Sequence, residues 1–312
     1  MNTFAPHRPL KLGTRNSPLA MAQAEEARGA LMAAHPGLVV ELVPVLASGD
    51  KVLDRPLAEL GGKALWTKEL DLWLLGGEID LAVHSLKDVE TLRPAEITIA
   101  AVLPREDVRD VLVGAASLAD LPPGSRIGTS APRRAAQALH LRPDCRVVGI
   151  RGNVQTRLAK LAAGEADVTL LAMAGLNRLG RSDVGTPLDP LAWLPAPGQG
   201  AIAIECRTGD QPVRDLLAAI DHDPSHLAVR AERALLAALG GNCHSPVAVL
   251  STWQGGLLML EAALFSPDGA DKVAAAHSFL PGDTTAPAQL AARLLAGASA
   301  AIAMHFDPPD GI

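Results

Sequence analysis

Short apolar runs alternate with longer stretches of helical period along roughly the first hundred residues, which reads as strands and helices in turn. Leu10 to Gly13 predicts a short strand. Ser17-Pro18 opens a helix, Ser as N-cap and Pro at the first helical position. The helix runs to about Ala34, where His35-Pro36-Gly37 stops it. Leu38 to Leu46, β-branched and apolar, predicts a second strand. A helix near Leu65 to Leu75 ends at Gly76-Gly77, a C-cap signal. Ile79 to His84 and Ile97 to Leu103 follow as strands. This alternation implies a parallel sheet with helices on both faces.

The pattern then repeats. Strands are predicted at Val111 to Val113, Arg126 to Gly128, Val147 to Ile150 and Val168 to Ala172, with helices near Pro132 to Leu141 and Val154 to Ala163. The loop Pro195-Ala-Pro-Gly-Gln-Gly200 leads to another apolar run, Ala201 to Glu205. From Asp223 the style changes. A helix from Pro224 to Leu239 precedes three strands, Val247 to Trp253, Leu257 to Phe265 and Lys272 to Phe279. Their turns contain Gln254-Gly-Gly and Pro267-Asp-Gly. One Ala/Leu helix is predicted from about Pro287 to Met304. Two α/β domains and one small α+β domain are expected.

The 312 residues, 48% of them hydrophobic, suffice for two or three domains with real cores. Aromatics supply only 3%, with no Tyr, so packing rests on Leu, Val, Ile and Ala. Met1 to Leu12 has no apolar stretch of signal-peptide length, and Leu294 to Met304 is too short to span a bilayer. A cytoplasmic protein with no membrane partner is expected. Cys145, Cys206 and Cys243 form no CxxC pair, and their odd number fits neither a disulfide framework nor a zinc ribbon. The net charge of −6 argues against general nucleic-acid binding. Arg126 to Lys160, however, carries seven Arg and one Lys against the single acid Asp144, a local +7 that leaves −13 elsewhere. A basic island in an acidic chain points to an anionic ligand.

Four motifs carry candidate chemistry. In Gly128-Thr-Ser-Ala-Pro-Arg-Arg134 a strand turns into a helix, with Ser130 placed to cap it and Pro132 to open it. Arg133 and Arg134 fall in the first helical turn, where cations sit badly against the dipole. A bound carboxylate or phosphate would remove that conflict; the plainer alternative is two exposed Arg. Ile150-Arg-Gly-Asn-Val-Gln-Thr-Arg157 repeats the device one βα unit later, so both Arg pairs belong on the rim beyond the carboxyl ends of the strands. Ile79-Asp-Leu-Ala-Val-His-Ser-Leu-Lys-Asp88 ends a strand with Ser85, Lys87 and Asp88, a proton donor or charge stabiliser unless Lys87 and Asp88 are merely a solvated pair. Cys243 lies in the turn-rich loop Gly240-Gly-Asn-Cys-His-Ser-Pro246 and is the candidate reactive thiol. A zinc site from His222, His226, Cys243 and His244 has no recognisable ligand spacing, and no metal is expected.

These segments resemble the porphobilinogen deaminase family over nearly the whole chain. The matching stretches are Leu12-Gly-Thr-Arg-Asn-Ser-Pro-Leu-Ala20, Gly61-Gly-Lys-Ala-Leu-Trp-Thr-Lys-Glu69, Asp80 to Val89, Gly128 to Arg134, Arg151 to Arg157, Ala174-Gly-Leu-Asn-Arg-Leu-Gly180, Pro197-Gly-Gln-Gly200 and the Cys243 loop. The resemblance implies two periplasmic-binding-protein-like α/β domains, residues 1–103 with 201–219 and residues 104–200, plus a C-terminal α+β domain, residues 220–312. It implies a dipyrromethane cofactor joined by a thioether to Cys243. On it four porphobilinogen molecules condense, each losing ammonia, to give hydroxymethylbilane in haem biosynthesis. Asp88, assisted by Lys87, resembles the catalytic group, a carboxylate that stabilises the azafulvene left when ammonia departs. Arg15, Ser17, Arg151, Arg157 and Arg178 match substrate contacts. Ser85, Lys87, Thr129, Arg133, Arg134 and, in part, Arg157 match groups holding the cofactor's carboxylates. Ala47 to Leu65 resembles a mobile lid. A monomer is expected.

The departures are Trp66 for a usual Phe, Glu90 for a usual Pro, Ala131 for a frequent Ser and Asn242 for a common Gly. None touches Cys243, Asp88 or the Arg set. A solute-binding module is the main rival, but it has no use for a reactive cysteine loop. A nucleic-acid binder would want aromatics to stack bases, and Arg126 to Lys160 contains none.

Overall fold

The computed structural model describes residues 8–45 and 67–309; the expected lid and Trp66 lie outside them. In chain order the elements begin β1 (Leu10–Arg15), α1 (Pro18–Ala34), β2 (Val40–Val45), α2 (Lys68–Gly76), β3 (Leu81–Ser85) and β4 (Ile97–Val102). They continue β5 (Asp110–Val113), β6 (Arg126–Gly128), α3 (Pro132–Leu141), β7 (Arg146–Val148), α4 (Val154–Ala162), β8 (Val168–Ala172), α5 (Met173–Arg178) and β9 (Thr186–Pro187). Last come β10 (Ile202–Arg207), α6 (Gln211–Ala218), α7 (Asp223–Ala238), β11 (Val247–Gln254), β12 (Leu257–Phe265), β13 (Lys272–Phe279), α8 (Ala286–Ala296) and α9 (Ala300–Ala303).

Contacts divide the chain into two compact units, residues 1–106 with 201–226, and residues 107–200 with 227–312. The first holds a five-stranded sheet in the order β2-β1-β3-β10-β4. The second holds a sheet of the same plan, β7-β6-β8-β5-β9, and a three-stranded antiparallel meander, β11-β12-β13. The predicted all-parallel sheets need correcting. β10 runs antiparallel to β3 and β4, and β5 runs antiparallel to β8 and β9. Neither strand reaches its place through a βαβ crossover, the connection that enforces parallel pairing.

Local chemistry explains most element ends. Ser17 caps α1 by accepting from the Ala20 N–H, Gly77 ends α2 at φ 82°, and Asn153 caps α4 by accepting from the Thr156 N–H. The single helix predicted at the end is two, α8 and α9, parted at residues 297–299, where Ser299 starts the second. α5, α6 and β9 were not anticipated. In the meander, Val247 and Val249 pack with Leu235, Leu239, Leu290 and Leu294, while Ala248 and Leu250 face Ala136 and Phe265. The period of two thus buries both faces of the first half of β11. Gly269, at φ 72°, lets the β12–β13 turn approach α3; a Cβ there would sit 2.4 Å from His140 N. No helix among the described residues is long and apolar enough to cross a membrane.

Candidate active site

In the first unit, β3 carries Val83, His84 and Ser85 to its carboxyl end. The chain then makes one 3₁₀ turn, Leu86–Asp88, fixed by buried Leu86 donating to Ala201 O at 3.0 Å. A pocket here is lined by Arg15, Ser17, Leu19, Ala20, Gln23, Thr67, Val83, His84, Ser85 and Asp88. Four of the expected residues, Arg15, Ser17, Ser85 and Asp88, therefore meet. Ser17 is also the α1 cap, its Oγ accepting at 3.3 Å. Ser85 Oγ accepts from the Gln23 amide at 2.8 Å. Asp88 is half-buried and, among the described residues, makes no hydrogen bond or ion pair. The ordinary solvated pair with Lys87 is therefore not made.

Behind this turn lies a charge network that sequence reasoning missed. Glu205, fully buried on β10, accepts from Arg93 Nε at 2.8 Å and Nη2 at 3.0 Å, and its Oε2 lies 3.2 Å from His84 Nε2. Burial pushes the Glu205 pKa up, but His84 and Arg93 overcome that and bring it to about 2. Glu205 closes an apolar run, and that isolated acid was its only signal. Gln23 was legible in principle, since it is the polar member of the buried stripe Ala20, Gln23, Ala24, Ala27, Leu31.

In the second unit the expectation for α3 needs correction. Arg133 and Arg134 are not exposed; both are 5% exposed, and they share an internal counter-ion. Asp110, fully buried at the start of β5, accepts from Arg133 Nη2 and Arg134 Nη2, each at 2.7 Å, and from Trp193 Nε1 and Gln199 Nε2, each at 2.8 Å. Arg133 also donates to Leu194 O at 2.8 Å and Arg134 to Leu170 O at 2.9 Å. Burial disfavours the Asp110 carboxylate, yet the two guanidiniums hold its pKa far below the usual range. Two cations against one anion leave this cluster at +1. Ser130 does not cap α3 but donates to Ile150 O at 3.1 Å; the N-cap is Ala131, without a side-chain bond. Thr129 is buried, its Oγ1 accepting from the Ala131 N–H at 3.1 Å.

Arg151, Arg157 and Arg178 are half-buried; Arg151 and Arg157 follow the carboxyl end of β7 and Arg178 that of β8, strands that flank β6 in parallel. Gly152, at φ 115°, makes the turn that separates Arg151 from α4. Arg157 Nε donates to Gly152 O at 2.9 Å and Arg178 Nη2 to Gly200 O at 3.2 Å.

The thiols sort cleanly. Cys145 and Cys206 are buried, and burial raises both pKa values, that of Cys206 to about 11. Cys243 is exposed, between α7 and β11. Asn242 shapes its loop, with Oδ1 accepting from the His244 N–H at 2.8 Å and its own N–H bonded to Ser245 Oγ at 3.0 Å. The rings of His222 and His226 are taken by Ser225 and Asp221.

The family of this chain, and with it its class as a transferase enzyme, is shown by its similarity to known proteins. Residues 10–215 match the family model "Porphobilinogen deaminase, dipyromethane cofactor binding domain", and residues 226–296 match "Porphobilinogen deaminase, C-terminal domain". The chain belongs to the porphobilinogen deaminase family. It is 57% identical to the porphobilinogen deaminase of Sphingopyxis alaskensis over 98% of this chain and 99% of that one. It is 49% identical to that of Paracoccus denitrificans over 86% of this chain and 88% of that one. Among solved structures, an ABC-transporter periplasmic substrate-binding protein from Coxiella burnetii superposes with TM-score 0.42 at 16% identity, covering 72% of this chain and 96% of that one.

Proposed function

We infer that this chain condenses four porphobilinogen molecules head to tail, with loss of ammonia, to hydroxymethylbilane. The observation that carries the reading is the exposed Cys243 in a chain whose other two thiols are buried. When bound there, the dipyrromethane supplies the primer on which the product grows. The residues fit such a group, since it brings carboxylates and Lys87, Arg157 and the +1 cluster of Arg133, Arg134 and Asp110 are cationic. Ser85 and Thr129 add hydroxyls.

On the substrate side, Arg15, Ser17, Arg151, Arg157 and Arg178 are assigned to the acetate and propionate of porphobilinogen. Charge-assisted bonds of this kind contribute about 1.5–3 kcal/mol each. As ammonia leaves, positive charge spreads onto the pyrrole nitrogen. Asp88, with no counter-ion among the described residues to compensate it, is free to stabilise that charge. Lys87 is assigned to assist at the same turn.

Further parts of the reading are a cytoplasmic monomer, three domains at the boundaries given above, and no nucleic-acid partner. Three cysteines that form no disulfide support a reducing compartment. Much of the basic island is ion-paired within the chain: Arg126 pairs with Asp167, Arg142 with Asp144, and Arg133 and Arg134 share Asp110. The test of the reaction is incubation of the purified chain with porphobilinogen. Ammonia and a linear tetrapyrrole should appear in a four-to-one ratio; consumption of porphobilinogen without ammonia release would overturn the assignment.

A further inference from the structure

The segment 84–93 carries Ser85, Lys87 and Asp88; its first residue lies beside one buried carboxylate and its last is hydrogen-bonded to the same one. At the start, His84 lies 3.2 Å from Glu205. At the end, Arg93 grips Glu205 with two prongs, Nε at 2.8 Å and Nη2 at 3.0 Å. Arg93 Nη2 also donates to Asp71 on α2, and Nη1 lies 3.5 Å from Glu90, two residues past Asp88. The side chains of Glu205 and Arg93 are only 0% and 7% exposed. Apolar side chains would fill such a space with less desolvation, so stability alone does not account for the network. Asp88 needs a fixed geometry, because its own carboxylate has no partner among the described residues. Leu86 and Val89 anchor the backbone of the turn by burial, and Arg93 ties the chain just beyond them to a strand and a helix.

We propose that Arg93, held by Glu205 and Asp71, is a positioning residue for the Asp88 carboxylate. It acts from behind the turn. Glu90, a departure from the family pattern, joins the same network. The proposal rests on the reading of Asp88 as the carboxylate that meets developing charge.

The decisive variant is Arg93→Lys, which keeps a counter-ion for Glu205 but cannot make the planar two-pronged contact. With the purified holoenzyme and porphobilinogen, kcat should fall about tenfold or more while KM changes less than about threefold, as expected for a displaced catalytic group. The melting transition should persist. In an Asp88→Glu background, where the carboxylate is already displaced, Arg93→Lys should cost less than about threefold further. Unchanged kcat in Arg93→Lys, or a full tenfold loss on top of Asp88→Glu, overturns the proposal. Loss of the melting transition together with activity also overturns it, by making Arg93 structural. Normal turnover in Asp88→Asn would instead remove the reading beneath it, so the two failures are distinguishable.

Discussion

At the scale of single residues, two aspartates have opposite surroundings. Asp88 has no counter-ion among the described residues and lines a pocket with Arg15 and Ser17; Asp110 is sealed among two arginines, a tryptophan and a glutamine. Asp88→Asn keeps size and removes charge. Its turnover should fall by several orders of magnitude, an electrostatic loss of a few kcal/mol or more, with the thermal melt almost unmoved. Near-normal turnover would take Asp88 out of the mechanism. Asp110→Asn leaves Arg133 and Arg134 buried without an anion, so it should destabilise the fold by about 3–5 kcal/mol, read as a lower denaturant midpoint. An unchanged midpoint would show that the cluster is dispensable. Motif residues such as Asp88 and Cys243 were legible because turn formers and strand ends mark them locally. Asp110 was not, because its partners are 23, 24, 83 and 89 residues away.

At the scale of elements, caps explain both the successes and a weakness. α1 and α3 were read from Ser17-Pro18 and Pro132, which act within a turn of themselves, and Asn153 caps α4 in the same local way. Strand direction was not readable, since β5 and β10 take their antiparallel places through long-range pairing. The final helix was misread because its composition runs on through the break at residues 297–299. α3 starts at Ala131 in extended conformation, φ −94° and ψ 117°, with no side-chain oxygen to accept from the first turn. Ala131→Ser should therefore supply a cap and stabilise by about 1 kcal/mol, a rise of about 1–2 °C in Tm for a chain this long. A lower Tm would mean that the serine cannot reach the free N–H groups.

At the scale of the whole molecule, a chain of net charge −6 buries several charges, and acid should find them. Glu205 has a folded pKa of about 2 against an ordinary 4.5. Because it is depressed on folding, its stabilisation is complete above pH about 4.5 and is lost as pH falls toward about 2. Chemical denaturation between pH 6 and 2, conditions set by that window, should show stability falling on acidification, with a shallower fall in Glu205→Gln. Equal slopes would contradict the Glu205 assignment. The central claim concerns the covalent primer, and the intact mass of the purified protein tests it most directly. The wild-type chain, Cys145→Ala and Cys206→Ala should each carry an added mass equal to two linked pyrroles, while Cys243→Ser should have the bare polypeptide mass and no turnover. An adduct that survives in Cys243→Ser, or an unmodified wild-type chain that turns over porphobilinogen, would contradict it.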